Sequence, residues 1–276
     1  MYSSNSAPTT RAAMSLPELI AMKRSGRKIV CLTAYDASFA RAMDRVGIDL
    51  VLVGDSLGMV VQGHGSTLPV SLRDMCYHSA CVAKGLQSAL LMADLPFQSY
   101  ASPAQAHASA TQLMAEGGAS VVKLEGAGVI LESIRYLADR DIPVCAHLGL
   151  TPQSVTQLGG FKVQGRDEAS ADRLMRQAVE VQAAGASLLV LECIPATLAT
   201  EISAMLTIPT IGIGAGPGCD GQVLVMHDLL GLAGRSRRPR FVRNFLQGRD
   251  SIDAAFEAYA NDVREGRFPA AEHIYQ

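Results

Sequence analysis

The sequence predicts an α/β protein and, within that class, one eight-stranded (β/α)8 barrel. Short runs rich in Val, Ile and Leu alternate with segments of helical spacing over about 200 residues. Such continuous apolar runs suit strands buried on both faces, as in a parallel sheet. Eight runs can be counted, the number that closes a (β/α)8 barrel. Most of them also end in an ionisable residue, and in a parallel barrel all the C-terminal strand ends lie on one face. A doubly wound open sheet is the competing arrangement of the same elements.

The opening segment, 1–14, is polar with one arginine, Arg11. It lacks the apolar core of a secretory signal and the arginine content of a transit peptide, and is expected to be a flexible N-terminal segment. "SLPELIAMKRSG" (15–26) starts with a capping box, Ser15 with Glu18, and predicts a helix closing the barrel floor. The strand candidates follow: "KIVCLTAY" (28–35), "DLVLVGD" (49–55), "SALLMADLP" (88–96), "SVVKLEG" (120–126), "PVCAHLGL" (143–150), "SLLVLEC" (187–193), "PTIGIGAG" (209–216) and "QVLVMH" (222–227). Between them, "SLRDMCYHSACVAKG" opens on Ser71 and closes on Gly85. "SPAQAHASATQLMAEGG" has Ser102 before Pro103, a good first helical residue. "SIDAAFEAYANDVREGRFP" (251–269) reads as an amphipathic helix with a proline stop. Its apolar positions Ile252, Ala255, Phe256 and Tyr259 need a surface, either a second copy of the chain or their own barrel. No linker or repeat divides the chain, so 15–276 is expected to be a single catalytic domain, a length that α/β barrels routinely reach.

Composition excludes several function classes. Lys+Arg 24 against Asp+Glu 26 gives a net charge of −2, and the longest basic run is the short "RSRRPR" at 235–240. Nucleic-acid binding needs clustered positive charge, so it is not expected. The six cysteines form no CxxC pair and read as small core residues of a reducing compartment. No apolar run approaches the roughly 18 residues that span a bilayer. A cytoplasmic protein is expected.

The strand ends carry the chemistry. Asp55 closes the second run, Asp94 the third, Lys123 and Glu125 the fourth, His147 the fifth and Glu192 the sixth. Any one of these carboxylates could be a helix N-cap or a loop anchor. Four carboxylates, a lysine and a histidine at successive ends are harder to explain as structure alone. Carboxylates gathered together repel unless a cation sits among them, and oxygen-rich ligands favour a hard ion such as Mg²⁺. Asp55, Asp94 and Glu125 form the natural metal set. Lys123 and Glu125 are two apart on one strand and project to the same face, so the lysine can hold a substrate anion beside the metal. Ser56 can donate to the same anion. Glu192 arrives at the end of an apolar strand, on the same face as the others. Other features have plainer readings. Asp36 is most simply a helix N-cap, His78 and His227 read as packing residues, His64 is open between a ligand contact and a structural role, and the "GIGAG" glycines (212–216) allow close packing, since the loop lacks GxGxxG spacing.

"LTAYD", "LVGDSLGMVVQGHGSTLPV", "ADLPFQSY", "VKLEG", "AHLGLTPQSV", "GGFKVQGR", "LLVLECIP" and "IGIGAG…CDGQVLVMHDLLG" together resemble the ketopantoate hydroxymethyltransferase family, in order, from about residue 15 to 273. The resemblance implies a barrel of the phosphoenolpyruvate mutase/isocitrate lyase type. It also implies transfer of a one-carbon unit from 5,10-methylenetetrahydrofolate to 3-methyl-2-oxobutanoate, giving 2-dehydropantoate and tetrahydrofolate, the first committed step towards pantothenate and coenzyme A. By motif, the metal positions fall on Asp55, Asp94 and Glu125, substrate contacts on Ser56 and Lys123 with His147 nearby, and the proton acceptor on Glu192. A homo-oligomer, a decamer of pentameric rings, is also implied. Gly65 stands where the family often has a side chain such as aspartate, the 235–245 stretch is arginine-rich, and the tail "EHIYQ" differs. Two other readings compete. A mutase or carbon–carbon lyase of the same superfamily lacks support because the chain has no cysteine in a "KKCGH" loop. A catalytically dead barrel would be expected to have lost one of Asp55, Asp94, Glu125 or Glu192, and it keeps all four.

Overall fold

The computed structural model describes residues 11–232 and 238–276. Most of the expected flexible segment (1–10) and part of the arginine-rich stretch (235–237) lie outside the described residues. The first half of the chain runs α1 (Leu16–Arg24), β1 (Ile29–Thr33), α2 (Ala37–Arg45), β2 (Leu50–Val53), α3 (Leu57–Val60), α4 (Leu72–Ala83), β3 (Leu90–Asp94), α5 (Pro103–Ala115), β4 (Val121–Glu125) and α6 (Ile130–Ala138). The second half runs β5 (Val144–Gly149), a 3-10 turn (Pro152–Ser154), α7 (Glu168–Ala183), β6 (Leu188–Glu192), α8 (Ala196–Met205), β7 (Thr210–Ile213), β8 (Gly221–Leu224), α9 (Met226–Leu229), α10 (Ile252–Arg264) and a last 3-10 turn (Ala271–His273).

The eight strands are parallel, pair in chain order and close on themselves. Closure is made by β1 against β8, with Ile29 opposite Gly221 and Leu32 opposite Leu224, and this rules out the open-sheet alternative. Every expected run yields its strand. The eighth is shorter than expected, because the chain turns into α9 at Met226, whose N–H donates to Thr33 Oγ1 (3.0 Å).

Alternation along each strand sorts the core into two layers. Ile29, Cys31, Leu50, Leu52, Leu90, Met92, Val121, Cys145, Leu188, Val190, Ile211 and Ile213 fill the barrel interior. Val30, Leu32, Val51, Val53, Leu91, Ala93, Val122, Leu124, Ala146, Leu189 and Leu191 face the helices. The interior layer gains Leu19 and Met22 from α1, fully or nearly fully buried, so this helix plugs the N-terminal end as expected. Its start is held by the capping box: Ser15 N–H donates to Glu18 Oε2 (2.6 Å), and Glu18 N–H to Ser15 Oγ (3.4 Å). The caps expected at Asp36, Ser71 and Ser102 are also formed.

Helix α10 packs on its own barrel. Ala255, Phe256 and Tyr259 are fully buried, and the Tyr259 hydroxyl points at two sheet carbonyls, Cys31 O and Gln222 O, each at 3.0 Å. Of its expected apolar face only Ile252 is left exposed, so this helix does not supply the apolar contact to a second copy that its sequence left open. All six cysteines are free thiols, five of them buried. No helix among the described residues is long and apolar enough to cross a membrane.

Candidate active site

The charged residues occupy the same inward-facing positions as the interior apolar ones, one step further along each strand. Met92 is followed inward by Asp94, Val121 by Lys123 and Glu125, Cys145 by His147, and Val190 by Glu192. The interior therefore turns from apolar to charged towards its C-terminal end. It opens there into a cavity of about 840 Å³ lined by Ser56, Asp55, Asp94, Lys123, Glu125, His147 and Glu192. All seven expected residues thus line one cavity. Asp55 reaches it differently from the others: β2 stops at Val53, so Asp55 comes from the turn before α3, yet it is 97% buried (3% exposed).

Two groups of contacts organise the centre. In the first, Lys123 Nζ lies 2.6 Å from Asp94 Oδ1, and Asp94 Oδ2 accepts the Asp55 backbone N–H (3.0 Å). Gly54 permits this approach, because a Cβ there would meet Ser56 Oγ at 2.9 Å and Asp94 Oδ2 at 3.5 Å. Ser56 Oγ in turn pairs with the Tyr35 hydroxyl at 2.9 Å. In the second group, His147 sits between two carboxylates, Nδ1 3.5 Å from Glu125 and Nε2 3.3 Å from Glu192. Neither ring nitrogen makes a well-formed hydrogen bond, so these are ion-pair contacts.

Gln153, from the 3-10 turn after β5, joins the two groups. Its Nε2 donates to Asp55 Oδ2 (2.8 Å) and to Leu95 O (3.0 Å), and its backbone N–H donates to Glu125 Oε2 (3.0 Å). Its Oε1 accepts from the Tyr100 hydroxyl at 2.6 Å, and that oxygen accepts the Glu125 N–H at 3.3 Å. Sequence reasoning missed Gln153, Tyr100 and Tyr35, because it looked for ionisable groups at strand ends. The signal available was Thr-Pro-Gln immediately after a strand, which places a polar side chain at the mouth.

The electrostatics follow from burial. Desolvation pushes the Asp55 carboxyl well above the usual carboxylate range, and the charges of Asp94 and Glu125 push it further. Burial alone would lower Lys123, but Asp94, Glu125 and Asp55 outweigh it and raise the lysine, which stays protonated. Burial and Lys123 both work against a charged His147, yet Glu125 and Glu192 prevail and push it up to about 9. At neutral pH this ring is an imidazolium. Glu192 is the most open carboxylate of the set, with 15% of its side chain exposed.

The expected metal trio is not a ready-made cage. Among the described residues no group of three or more His, Cys, Asp or Glu is placed to hold an ion by itself. Glu125 is the member drawn away, with one oxygen on Gln153 N–H and the other facing His147. Three buried carboxylates around one lysine nonetheless leave excess negative charge, expressed in the raised Asp55 and in a Glu125 Oε1 that lacks a hydrogen-bond partner. Mg²⁺ is typically held by one or two carboxylates with the rest of its shell from water and substrate, so the donor set fits such an ion.

His78 and His227 pack as their plainer readings expect, and His64 is left, among the described residues, without a contact that decides its role. His78 Nδ1 contacts Tyr35 O at 2.7 Å, His64 is exposed on its loop, and His227 stacks at a tilt on Tyr35. The "GIGAG" loop packs closely against Cys219, Phe241 and Ala196, as expected of those glycines.

Comparison with known proteins identifies a family and a fold. The family model described as ketopantoate hydroxymethyltransferase matches residues 13–271. A 3-methyl-2-oxobutanoate hydroxymethyltransferase of Xanthomonas euvesicatoria pv. vesicatoria is 63% identical over 261 residues, 95% of this chain and 96% of that protein. One from Xanthomonas campestris pv. campestris is 61% identical over the same shares. Among solved structures, phosphonopyruvate hydrolase in complex with oxalate and Mg²⁺ superposes with a TM-score of 0.61 at 15% identity, covering 94% of this chain and 93% of that one. The 2,3-dimethylmalate lyase, a PEP mutase/isocitrate lyase superfamily member, does so with 0.56 at 18% identity, covering 76% and 80%. The expected fold type is therefore the one observed.

Proposed function

The chain belongs to the ketopantoate hydroxymethyltransferase family, and from that premise we propose that it transfers a one-carbon unit from 5,10-methylenetetrahydrofolate to 3-methyl-2-oxobutanoate, the first step of pantothenate biosynthesis. The observation that carries the site assignment is the buried cluster of Asp55, Asp94, Glu125 and Lys123 at the C-terminal end of the barrel, with Glu192 across the same cavity.

Asp55 and Asp94, with Glu125 beside them, would hold Mg²⁺. Bound there, the ion supplies Lewis-acid polarisation of the keto oxygen of the substrate. Lys123 spends one N–H on Asp94 and has others for the substrate carboxylate, to which Ser56 also donates. Glu192 takes the proton from C3 of the oxo acid. His147, already protonated at neutral pH, is unsuited to that task and instead places positive charge beside both Glu125 and Glu192. The C3 carbon nucleophile forms its new bond to the methylene carbon of the donor, the carbon–nitrogen bonds to folate break, and water provides the hydroxyl oxygen. The products are 2-dehydropantoate and tetrahydrofolate.

A coupled assay for tetrahydrofolate release from purified protein, Mg²⁺ and the two substrates tests this. Release dependent on 3-methyl-2-oxobutanoate supports the reading, and no release refutes it. Residues 15–276 act as one catalytic domain, supported by α1 plugging the barrel and α10 bonding to its sheet. Location in the cytoplasm is supported by six unpaired thiols. Assembly into a homo-oligomer, a decamer, is supported by the family resemblance.

A further inference from the structure

The cavity exceeds what a five-carbon oxo acid fills, and its charge changes sign along its length. Asp55, Asp94 and Glu125 stand at the inner end, while Lys162, Arg238 and Arg240 line it together with Phe241 and Tyr275. These cations come from "GGFKVQGR" and from the arginine-rich stretch, and the chemistry at the inner end leaves both without a role. All three are exposed.

Contacts order the residues between the two ends. Tyr275 O accepts the Ala196 N–H at 3.1 Å, which ties it to the turn after Glu192, and Phe241, the neighbour of Arg240 in the chain, lies beside Gly214 next to Cys193. The Tyr275 ring meets Phe241 edge-on, with centroids 6.5 Å apart. Phe241 lies against Gly214, where a Cβ would come within 2.9 Å of the ring, and this explains a glycine at that position of the "GIGAG" loop. Arg240 is anchored by Nε donating to Glu272 O at 3.0 Å, which uses one of its five N–H groups. The sequence through the cavity is thus carboxylate, aromatic pair, guanidinium.

A folate donor has a matching order: a reactive methylene carbon on the pteridine, an aromatic aminobenzoyl ring, and a glutamate with two carboxylates. Resting on the proposed function, we infer that Arg240 and Lys162, with Arg238, receive the glutamyl carboxylates of the donor, while Phe241 and Tyr275 flank its rings. The methylene carbon is then left at the Glu192 end, where the carbon nucleophile forms. Guanidinium–carboxylate pairs are directional and suit this anchoring, and their exposure makes them sensitive to salt.

The test compares two donors on the full chain: 5,10-methylenetetrahydrofolate and 5,10-methylenetetrahydropteroate, which lacks the glutamate. Wild type should show a KM about tenfold higher for the pteroate donor, equivalent to about 1.4 kcal/mol. In the K162A/R240A double variant, the KM for the folate donor should rise towards the pteroate value, while the pteroate KM matches that of wild type. Raised salt should act on wild type in the same selective way. Equal KM values for the two donors in wild type overturn the tail contact, as does a variant that raises both KM values alike. A wild type that turns over neither donor refutes one-carbon transfer itself, so the two failures are told apart.

Discussion

Glu192 and His147 show how one residue's environment decides its role. They are 3.3 Å apart, and either could be named a base from its residue type. Flanking carboxylates push His147 up to about 9, which argues against His147 as the base and for the proposed role of Glu192. Glu192→Gln should therefore bind 3-methyl-2-oxobutanoate as wild type does, since Lys123 and Ser56 are untouched. Its exchange of the C3 proton in D₂O, followed by NMR without folate, should slow by about 10²–10⁴-fold, typical of losing a general base. Exchange at the wild-type rate would move the role elsewhere. Asp94 carries a different load, because it both pairs with Lys123 and accepts the Asp55 N–H. Asp94→Asn should weaken Mg²⁺ and oxo-acid binding together, read by calorimetry, and removal of metal with EDTA should abolish turnover of the wild type. Full activity of metal-free enzyme would refute the ion's part.

At the scale of the element, α10 had two possible partners, and a single hydroxyl shows which it took. Tyr259 is fully buried and hydrogen-bonds the sheet at the seam of β1 and β8, the pair that closes the barrel. Tyr259→Phe keeps the ring but removes the hydroxyl, and with it the one O–H donor that two buried carbonyls share. Stability should fall by about 1–3 kcal/mol, seen as a lower urea midpoint with an unchanged m-value. No change in midpoint would mean that the seam does not depend on this bond. The α1 helix was more legible, because its capping box is local and its two buried residues, Leu19 and Met22, lie three apart on one face.

For the whole molecule, the barrel explains why residues nearly 140 positions apart, Asp55 to Glu192, share one cavity: every strand delivers its C-terminal end to the same face. The proposed assembly would have to use surfaces other than the apolar face of α10, which is occupied by its own barrel. Exposed Tyr77, Phe97 and Val129 remain on the outside, at 66%, 41% and 86% exposure. Sedimentation at micromolar concentration should show a species several times the 29.2 kDa chain, and a monomer would refute the oligomer.

The sequence by itself determined the strand runs, the helix starts and the strand ends at which charge gathers. Each of these depends on short-range periodicity or on a cap within a few residues, and those patterns are written along the chain. It also named Asp55, Asp94, Lys123, Glu125, His147 and Glu192, because a charge at the end of an apolar run is conspicuous, and Ser56 as the neighbour of Asp55. Tertiary structure alone decided how these groups are paired. Gln153 is neutral and stands 98 residues from Asp55 and 28 from Glu125, so nothing local marks it as the bridge between them. The charge on His147, the draw of Glu125 away from the aspartates and the burial of α10 likewise depend on distances between segments remote in sequence, which only the closed barrel brings within a few ångströms.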